Sequence, residues 1–150
     1  IPSEESLAFY LEKYSETHLV ILPWGAGKWL GRRGLVLKET MHQLSYLEYV
    51  VGDSGVRPSF WQNVPQFEDA KQLGKHILFG SDPLPVAGQQ RKVGSCGAGF
   101  YSNQVAEQLV LNLRSTILGL TTEEVSRYGE LDGLFGFIYN QFLLRLNRVR

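Results

Sequence analysis

Two acidic residues in this sequence directly follow predicted β-strands, where a rigidly held carboxylate can do acid–base chemistry. Ser81 and Asp82 follow the apolar run at residues 76–79, within the segment GSDPLP, whose prolines stiffen the chain. A carboxylate in such a place can bind a divalent metal ion or accept a proton from a metal-bound water. The same residues also suit a turn in which Asp82 hydrogen-bonds the local backbone, so both roles stay open.

The second acidic residue, Asp53, lies in the loop GDSGVRP after the predicted strand at 47–51, four residues before Arg57. Arginine offers a planar fork that binds a carboxylate or a phosphate. We therefore count Asp53 with Asp82 as candidate catalytic carboxylates, and Arg57 as a candidate substrate ligand. The alternative is that Asp53 and Arg57 pair with each other and only organise the loop.

A third loop, PWGAGKWLGRRG, brings positive charge to the end of the predicted strand at 18–22. Its three cations are Lys28, Arg32 and Arg33. Its Gly-x-Gly-Lys pattern is only part of a phosphate-binding loop, because a tryptophan stands where serine or threonine is required. Trp24 could form a wall of a pocket or stack on a planar ligand. The alternative is that the two tryptophans are buried and anchor the loop while the arginines are solvated.

Further positive charge follows Asp82 in the glycine-rich stretch at residues 86–101, which contains Arg91. The loops together predict a binding site for a small anionic molecule. The candidate substrate-binding residues are Lys28, Arg57, Arg32, Arg33, Arg91, Trp24 and Ser81. Cys96 has no histidine near it in the sequence, so a role as nucleophile is not favoured.

The elements that must hold these loops alternate between strand and helix. Short apolar runs predict strands at 18–22, 47–51 and 76–79, and the segments at 35–44 and 65–73 predict helices between them. Such alternation favours an α/β fold with a parallel sheet and right-handed crossovers. In these sheets ligands bind at the carboxyl ends of the strands, where all three loops lie.

Residues 102–150 predict terminal helices, at 103–118, after Thr121 or Thr122, and at 131–148. The last helix has a broad apolar stripe, formed by Leu134, Phe135, Ile138, Phe142, Leu143 and Leu146. At the other end of the chain, Ser3 is predicted to cap a helix that runs to about residue 16. The helical tail could cover an exposed sheet edge, which would make the chain a self-contained domain used for protein association.

The net charge, the length of the apolar runs and the cysteine count restrict which partners and compartments the protein is suited to. Fifteen basic and fifteen acidic residues give zero formal charge, which disfavours nucleic acid and acidic membranes as partners. No apolar run approaches the roughly 20 residues that span a bilayer. A single cysteine cannot form an internal disulfide, and with the neutral charge it is compatible with a cytoplasmic protein.

The segment HILFGSD, which ends in Asp82, resembles the last-strand motif of metal-dependent hydrolase barrels of the amidohydrolase or polymerase-and-histidinol-phosphatase type. The ordered set PWGAGKWLGRRG, GDSGVRP, GSDPLP, VGSCGAGF and IYNQFLLRL is similar to one uncharacterised bacterial group of such proteins. The resemblance implies the C-terminal portion of a (β/α)8 TIM barrel, with about three β/α units in residues 1–101 and terminal helices in 102–150. The chain would then be a single domain, 1–150, and a fragment of a longer barrel.

The resemblance also implies a metal-dependent hydrolase that acts on a small anionic substrate, with Asp82 as the ligand of zinc, iron or manganese. This sequence departs from the pattern, because Pro23 and Trp24 stand where many members have histidine, and Pro83 and Leu84 follow the GSD. No HxH, HExxH or paired-cysteine motif occurs in it. The alternative is therefore an anion-binding barrel that has lost its metal ligands, and whether the chain is an enzyme stays open. Three strands cannot close a barrel, so we also expect association into a homo-oligomer.

Overall fold

The computed structural model describes residues 6–148, except for the side chains of residues 122, 147 and 148. The first half alternates helix and strand as α1 (Leu7–Tyr14), β1 (Ile21–Pro23), α2 (Gly31–Gln43), β2 (Val50–Ser54), α3 (Pro65–Gln72) and β3 (Ile77–Gly80). The second half contains the 3₁₀ helix Gln89–Lys92, β4 (Gly97–Gly99), α4 (Ala106–Leu111), α5 (Leu113–Gly119), the 3₁₀ helix Thr122–Glu124, β5 (Ser126–Tyr128) and α6 (Leu134–Arg148). The predicted cap Ser3 lies outside the described residues, and Ser6 caps α1 by accepting a hydrogen bond from Phe9 N at 3.2 Å.

The five strands form one sheet in the order β1-β2-β3-β4-β5. The pairs β1·β2 and β2·β3 are parallel, with Leu22 opposite Val51 and Gly52 opposite Leu78. The pairs β3·β4 and β4·β5 are antiparallel. The prediction of a TIM-barrel portion built from three β/α units is therefore wrong, because the described strands form an open, mixed sheet whose second half reverses direction.

The hydrophobic core lies where the helices α1, α2 and α3 pack against the parallel strands. The strands contribute Leu22, Val51 and Ile77, and the helices contribute Leu11, Leu37, Met41 and Phe67, all of them buried. The loop after β1 lies so close to α2 that a Cβ on Gly34 would be 2.8 Å from the carbonyl carbon of Trp29. This packing holds the loop after β1 against the start of α2.

Strands β4 and β5 were not predicted, because their short sequences Gly-Ala-Gly and Ser-Arg-Tyr have no apolar alternation. A close approach explains the first glycine: a Cβ on Gly97 would lie 2.6 Å from Cζ of Tyr128, the residue opposite it in β5. Glycine lets the tyrosine ring lie across the backbone of β4. The one feature of the sequence that reflects this strand is therefore the glycine at position 97.

The tail departs from the prediction in two further places. The helix expected at 103–118 breaks at Asn112, whose φ of −104° and ψ of 14° separate α4 from α5. The helix α6 exposes the apolar stripe predicted from the sequence, since Phe135 is 87% and Phe142 is 58% exposed, while the polar Asn140 is 3% exposed. No helix among the described residues is both long and apolar enough to cross a membrane.

Candidate anion-binding site

The loops that follow β1 and β3 meet α6 around a cavity of about 620 Å³, which we call the strand-end cavity. The loop after β1 contributes residues 24–28, and the loop after β3 contributes residues 82–85. Helix α6 closes the cavity with Phe137, Gln141, Leu144 and Arg145. The parallel direction of the strands puts both loops at one edge of the sheet, which is where ligands bind in such folds.

Three cations and one carboxylate line the strand-end cavity: Lys28, Arg33, Arg145 and Asp82. The six ion pairs found within the described part of the chain involve none of them. The cavity therefore carries a formal excess of positive charge that no described residue neutralises. A small anion would meet several donors there at once.

The apolar part of the lining is held by ring contacts and a backbone hydrogen bond. Trp24 is 4% exposed, and its backbone N–H donates to Gly52 O at 2.8 Å, which ties the loop to β2. Its ring meets Trp61 edge to face with centroids 5.6 Å apart. Phe137 on the opposite side packs against Phe60 in the same manner at 6.3 Å. Both tryptophans of the loop after β1 are buried, since Trp29 is 5% exposed.

Asp53 and Arg57, predicted as a catalytic and a substrate-binding residue, bind each other. Arg57 Nε donates to Asp53 Oδ1 and Arg57 Nη2 donates to Oδ2, both at 2.6 Å. Arg57 Nη1 also donates to the carbonyl of Trp61. Both residues are buried, and neither lines the strand-end cavity. The sequence left open whether Asp53 and Arg57 serve a ligand or pair with each other. In the structure they pair with each other and organise the loop.

Asp82, the predicted catalytic residue and metal ligand, is exposed at the mouth of the cavity. Among the described residues it is the one non-glycine residue with a positive φ, at 41°. Aspartate tolerates this conformation better than most residues, and such positions occur often at binding sites. The described residues contain no group of three or more His, Cys, Asp or Glu side chains that could hold a metal. A lone carboxylate does not fit zinc, iron or manganese, which need several protein ligands.

The remaining predicted residues have other positions. Ser81 Oγ accepts a hydrogen bond from Gly94 N at 3.1 Å and so holds the following loop. Arg91, on the 3₁₀ helix Gln89–Lys92, is exposed and does not line the strand-end cavity. Arg32 does not line the strand-end cavity either.

The second cavity has a volume of about 570 Å³ and runs along β1 and α2; we call it the edge groove. Its apolar lining residues are Leu7, Leu22, Pro23, Trp29, Val36 and Leu37. Its cations are Lys28, Arg32 and Arg33, of which Lys28 and Arg33 also line the strand-end cavity. The two cavities therefore share a cationic border.

No pattern in the sequence indicated the part that α6 plays. Arg145 was not among the candidate residues, and nothing predicted that Phe137, Gln141, Leu144 and Arg145 would close a cavity. The helix is held in place by buried polar contacts: Asn140 Nδ2 donates to Asp132 Oδ2 at 3.0 Å, and Gln89 Nε2 donates to Asn140 Oδ1 at 2.9 Å. Lys92 completes the network through an ion pair with Asp132.

No protein-family model, no curated protein and no solved structure matches this chain. The resemblance to metal-dependent hydrolases therefore stays a prediction, and the function has to be argued from the cavities themselves.

Proposed function

We propose that this protein binds a small organic anion in the strand-end cavity. The observation that carries the proposal is the convergence of Lys28, Arg33 and Arg145, from the loop after β1, from α2 and from α6, on one cavity without a described acidic partner. Only Asp82 opposes their charge within the lining. Arginine and lysine at such a site favour a carboxylate or a phosphate.

The apolar lining supports an organic ligand over a free inorganic ion. Trp24, Val56, Phe137 and Leu144 face the same space as the cations. Cavities of several hundred Å³ with a few convergent polar groups among apolar walls are typical of small-molecule sites. The ligand class is therefore a carboxylate or phosphate attached to an apolar body.

Binding can be measured by isothermal titration calorimetry with citrate and with inorganic phosphate at low ionic strength. The double variant Lys28→Ala/Arg33→Ala should weaken binding at least tenfold, because each cation contributes a charge-assisted contact. The double variant Lys13→Ala/Arg91→Ala is the matched control, since it removes an equal charge at exposed residues outside both cavities and should leave the affinity within twofold. Equal affinity in wild type and in the double variant would overturn the proposal.

The cavity lining does not fit metal-dependent hydrolysis, because Asp82 is its only carboxylate and residues 6–148 contain no group of three or more metal-ligating side chains. The same protein preparation tests this point. If the protein contains stoichiometric zinc, iron or manganese, and Asp82→Asn loses it, then the site is a metal centre and the proposal of an anion-binding site is wrong.

A further inference from the structure

We infer that the anion bound by this protein is an amphipathic acid, whose apolar tail lies in the edge groove while its acid group binds Lys28 and Arg33. The inference rests on the proposed function and adds a second subsite to it. Its basis is the shared border of the two cavities, since Lys28 and Arg33 line both of them.

The edge groove has the chemistry of a tail site. Leu7 of α1, Leu22 of β1 and Val36 of α2 give it apolar walls from three different elements. The indole N–H of Trp29 is already used, because Trp29 Nε1 donates to Pro23 O at 3.0 Å. An apolar chain would meet few polar groups along this surface until it reaches the cations at one border.

The cations make a simple hydrocarbon a poorer ligand than an acid. Lys28, Arg32 and Arg33 form no ion pair with any described residue, and each is exposed. A carboxylate at the end of the tail would be attracted by this positive charge, while the uncharged hydroxyl of an alcohol of the same length would not. Each methylene buried in the groove should raise the affinity by up to about fourfold.

The test compares acetate, hexanoate and decanoate by calorimetry, with 1-decanol as the uncharged probe. Wild type should bind with an affinity that rises along the acid series, and it should bind decanoate at least tenfold more tightly than decanol. Val36→Gln should abolish the rise along the series but leave phosphate binding unchanged. Leu35→Gln is the matched control, because Leu35 is 61% exposed on the same helix and lies outside the groove lining.

The possible failures are distinguishable. If acetate and phosphate bind but chain length has no effect, the tail subsite is wrong and the anion site stands. If no anion binds, the proposed function itself is wrong. If decanol binds as tightly as decanoate, or if Val36→Gln retains the full series, the assignment of head and tail is overturned.

A separate observation concerns α6, and from it we infer that two copies of this chain associate through that helix. The exposed stripe consists of Leu134, Phe135, Ile138, Tyr139, Phe142 and Leu146, each at least 48% exposed. None of the six is charged, and the exposed Arg145, three residues after Phe142, lies beside them. The other side of the helix is already used, since it holds the buried Asn140 and, with Phe137 and Leu144, lines the strand-end cavity.

The area supports a second copy as the occupant. At roughly 150–200 Å² for a fully exposed large side chain, the stripe offers about 600 Å². A stable interface needs about 800 Å² from each partner, so the stripe supplies most of it. A two-fold axis lets the same surface serve on both copies, and two antiparallel helices with apolar stripes satisfy that symmetry.

Sedimentation velocity between about 1 and 100 μM protein tests the association. Wild type should be a dimer at the upper concentrations, and Phe135→Gln/Phe142→Gln should be a monomer throughout. Val110→Gln, at a residue 73% exposed on α4, is the control and should dimerise as wild type does. A wild type that stays monomeric, or a dimer that survives the double substitution, would overturn the inference.

Discussion

The guanidinium of Arg57 binds both carboxylate oxygens of Asp53, with two hydrogen bonds of 2.6 Å between the two side chains. The side chains are 7% and 1% exposed, so the pair is shielded from water. Arg57 also stands over the ring of Phe67 at 5.6 Å from its centroid. The pair thus joins the end of β2 to α3 and fixes the loop between them.

Breaking this pair should be costly. Arg57→Ala leaves the Asp53 carboxylate buried without its partner, so we expect the free energy of unfolding to fall by about 3–5 kcal/mol. Urea denaturation followed by circular dichroism measures the loss. The exposed pair Lys71 and Glu68, 2.8 Å apart, gives the control, and Lys71→Ala should cost less than about 1 kcal/mol. Similar losses in the two variants would show that the buried pair contributes no more than a surface pair.

The paired glycines of β3 and β4 should respond differently to one added methyl group. Gly80 and Gly97 are opposite each other in the sheet, but a Cβ on Gly80 meets nothing within 4 Å, while on Gly97 it overlaps Tyr128. We expect Gly97→Ala to destabilise the protein by about 1–3 kcal/mol and Gly80→Ala by less than about 1 kcal/mol. Thermal unfolding compares the two, and adding Tyr128→Ser to Gly97→Ala should restore part of the loss.

Tyr49 should make the stability fall at high pH. Its hydroxyl donates to Met41 O at 3.0 Å, and burial raises its pKa to about 12. Because this pKa exceeds the ordinary value near 10 of the unfolded chain, the stabilisation is complete below about pH 10 and is lost as the pH rises towards 12. Two pKa units correspond to about 2.7 kcal/mol, which is the upper limit of the loss.

Urea unfolding at pH 8, 10 and 11 measures this effect in wild type and in Tyr49→Phe. The wild type should lose more free energy of unfolding between pH 10 and 11 than the variant does. Burial lowers the pKa of Lys75, whose ammonium lies 4.6 Å from the centroid of the Tyr49 ring. That lysine is common to both proteins, so its opposite slope cancels in the comparison. Tyr46→Phe, at a residue 73% exposed, should behave as wild type.

Asp82 should weaken anion binding through its charge. Asp82→Asn removes the one carboxylate of the cavity lining and keeps a residue type that tolerates the positive φ of 41°. We expect the citrate affinity to rise about threefold at low ionic strength, an effect that salt should reduce. Glu123→Gln, an exposed residue outside the cavity, should change nothing. A loss of affinity in Asp82→Asn would mean that the carboxylate takes part in binding.

The parallel half of the sheet was predictable because apolar runs and turn residues mark it plainly. The runs at 18–22, 47–51 and 76–79 overlap β1, β2 and β3, although β1 and β2 each begin three residues later than predicted, and the loops after them include residues of the strand-end cavity. The antiparallel half was not predictable, because Gly97 is required by contact with a residue 31 positions away along the chain, Tyr128. The prediction of a TIM barrel was wrong for the same reason, because no pattern in the sequence indicated that β4 would pair with the edge of β3.

The site residues that follow their strands were predictable, and those placed by contacts distant in the sequence were not. Trp24, Lys28 and Asp82 line the strand-end cavity because each follows its strand closely, and Arg33 reaches it from the first turn of α2. Asp53 lies in β2 and Arg57 follows that strand by three residues, yet burial favours their mutual pairing over exposure at the cavity. Arg145 reaches the cavity from α6, and its contribution depends on the buried contacts of Asn140 and Asp132 that no local pattern encodes.

The sheet is joined at its middle by a single matched pair, Gly80 and Gly97, while β2 and β3 are matched at four positions. Because this seam is narrow, we expect the two halves of the sheet to open with different free energies. Amide hydrogen exchange should therefore release Ala98 and Arg127 of the antiparallel half well before Val51 of the parallel half. Lys28 and Arg33 follow β1, at the far side of the sheet from the seam, and Asp132 ties the start of α6 to Gly55 and Ser59 after β2. Local opening at the seam would therefore leave most of the anion site in place.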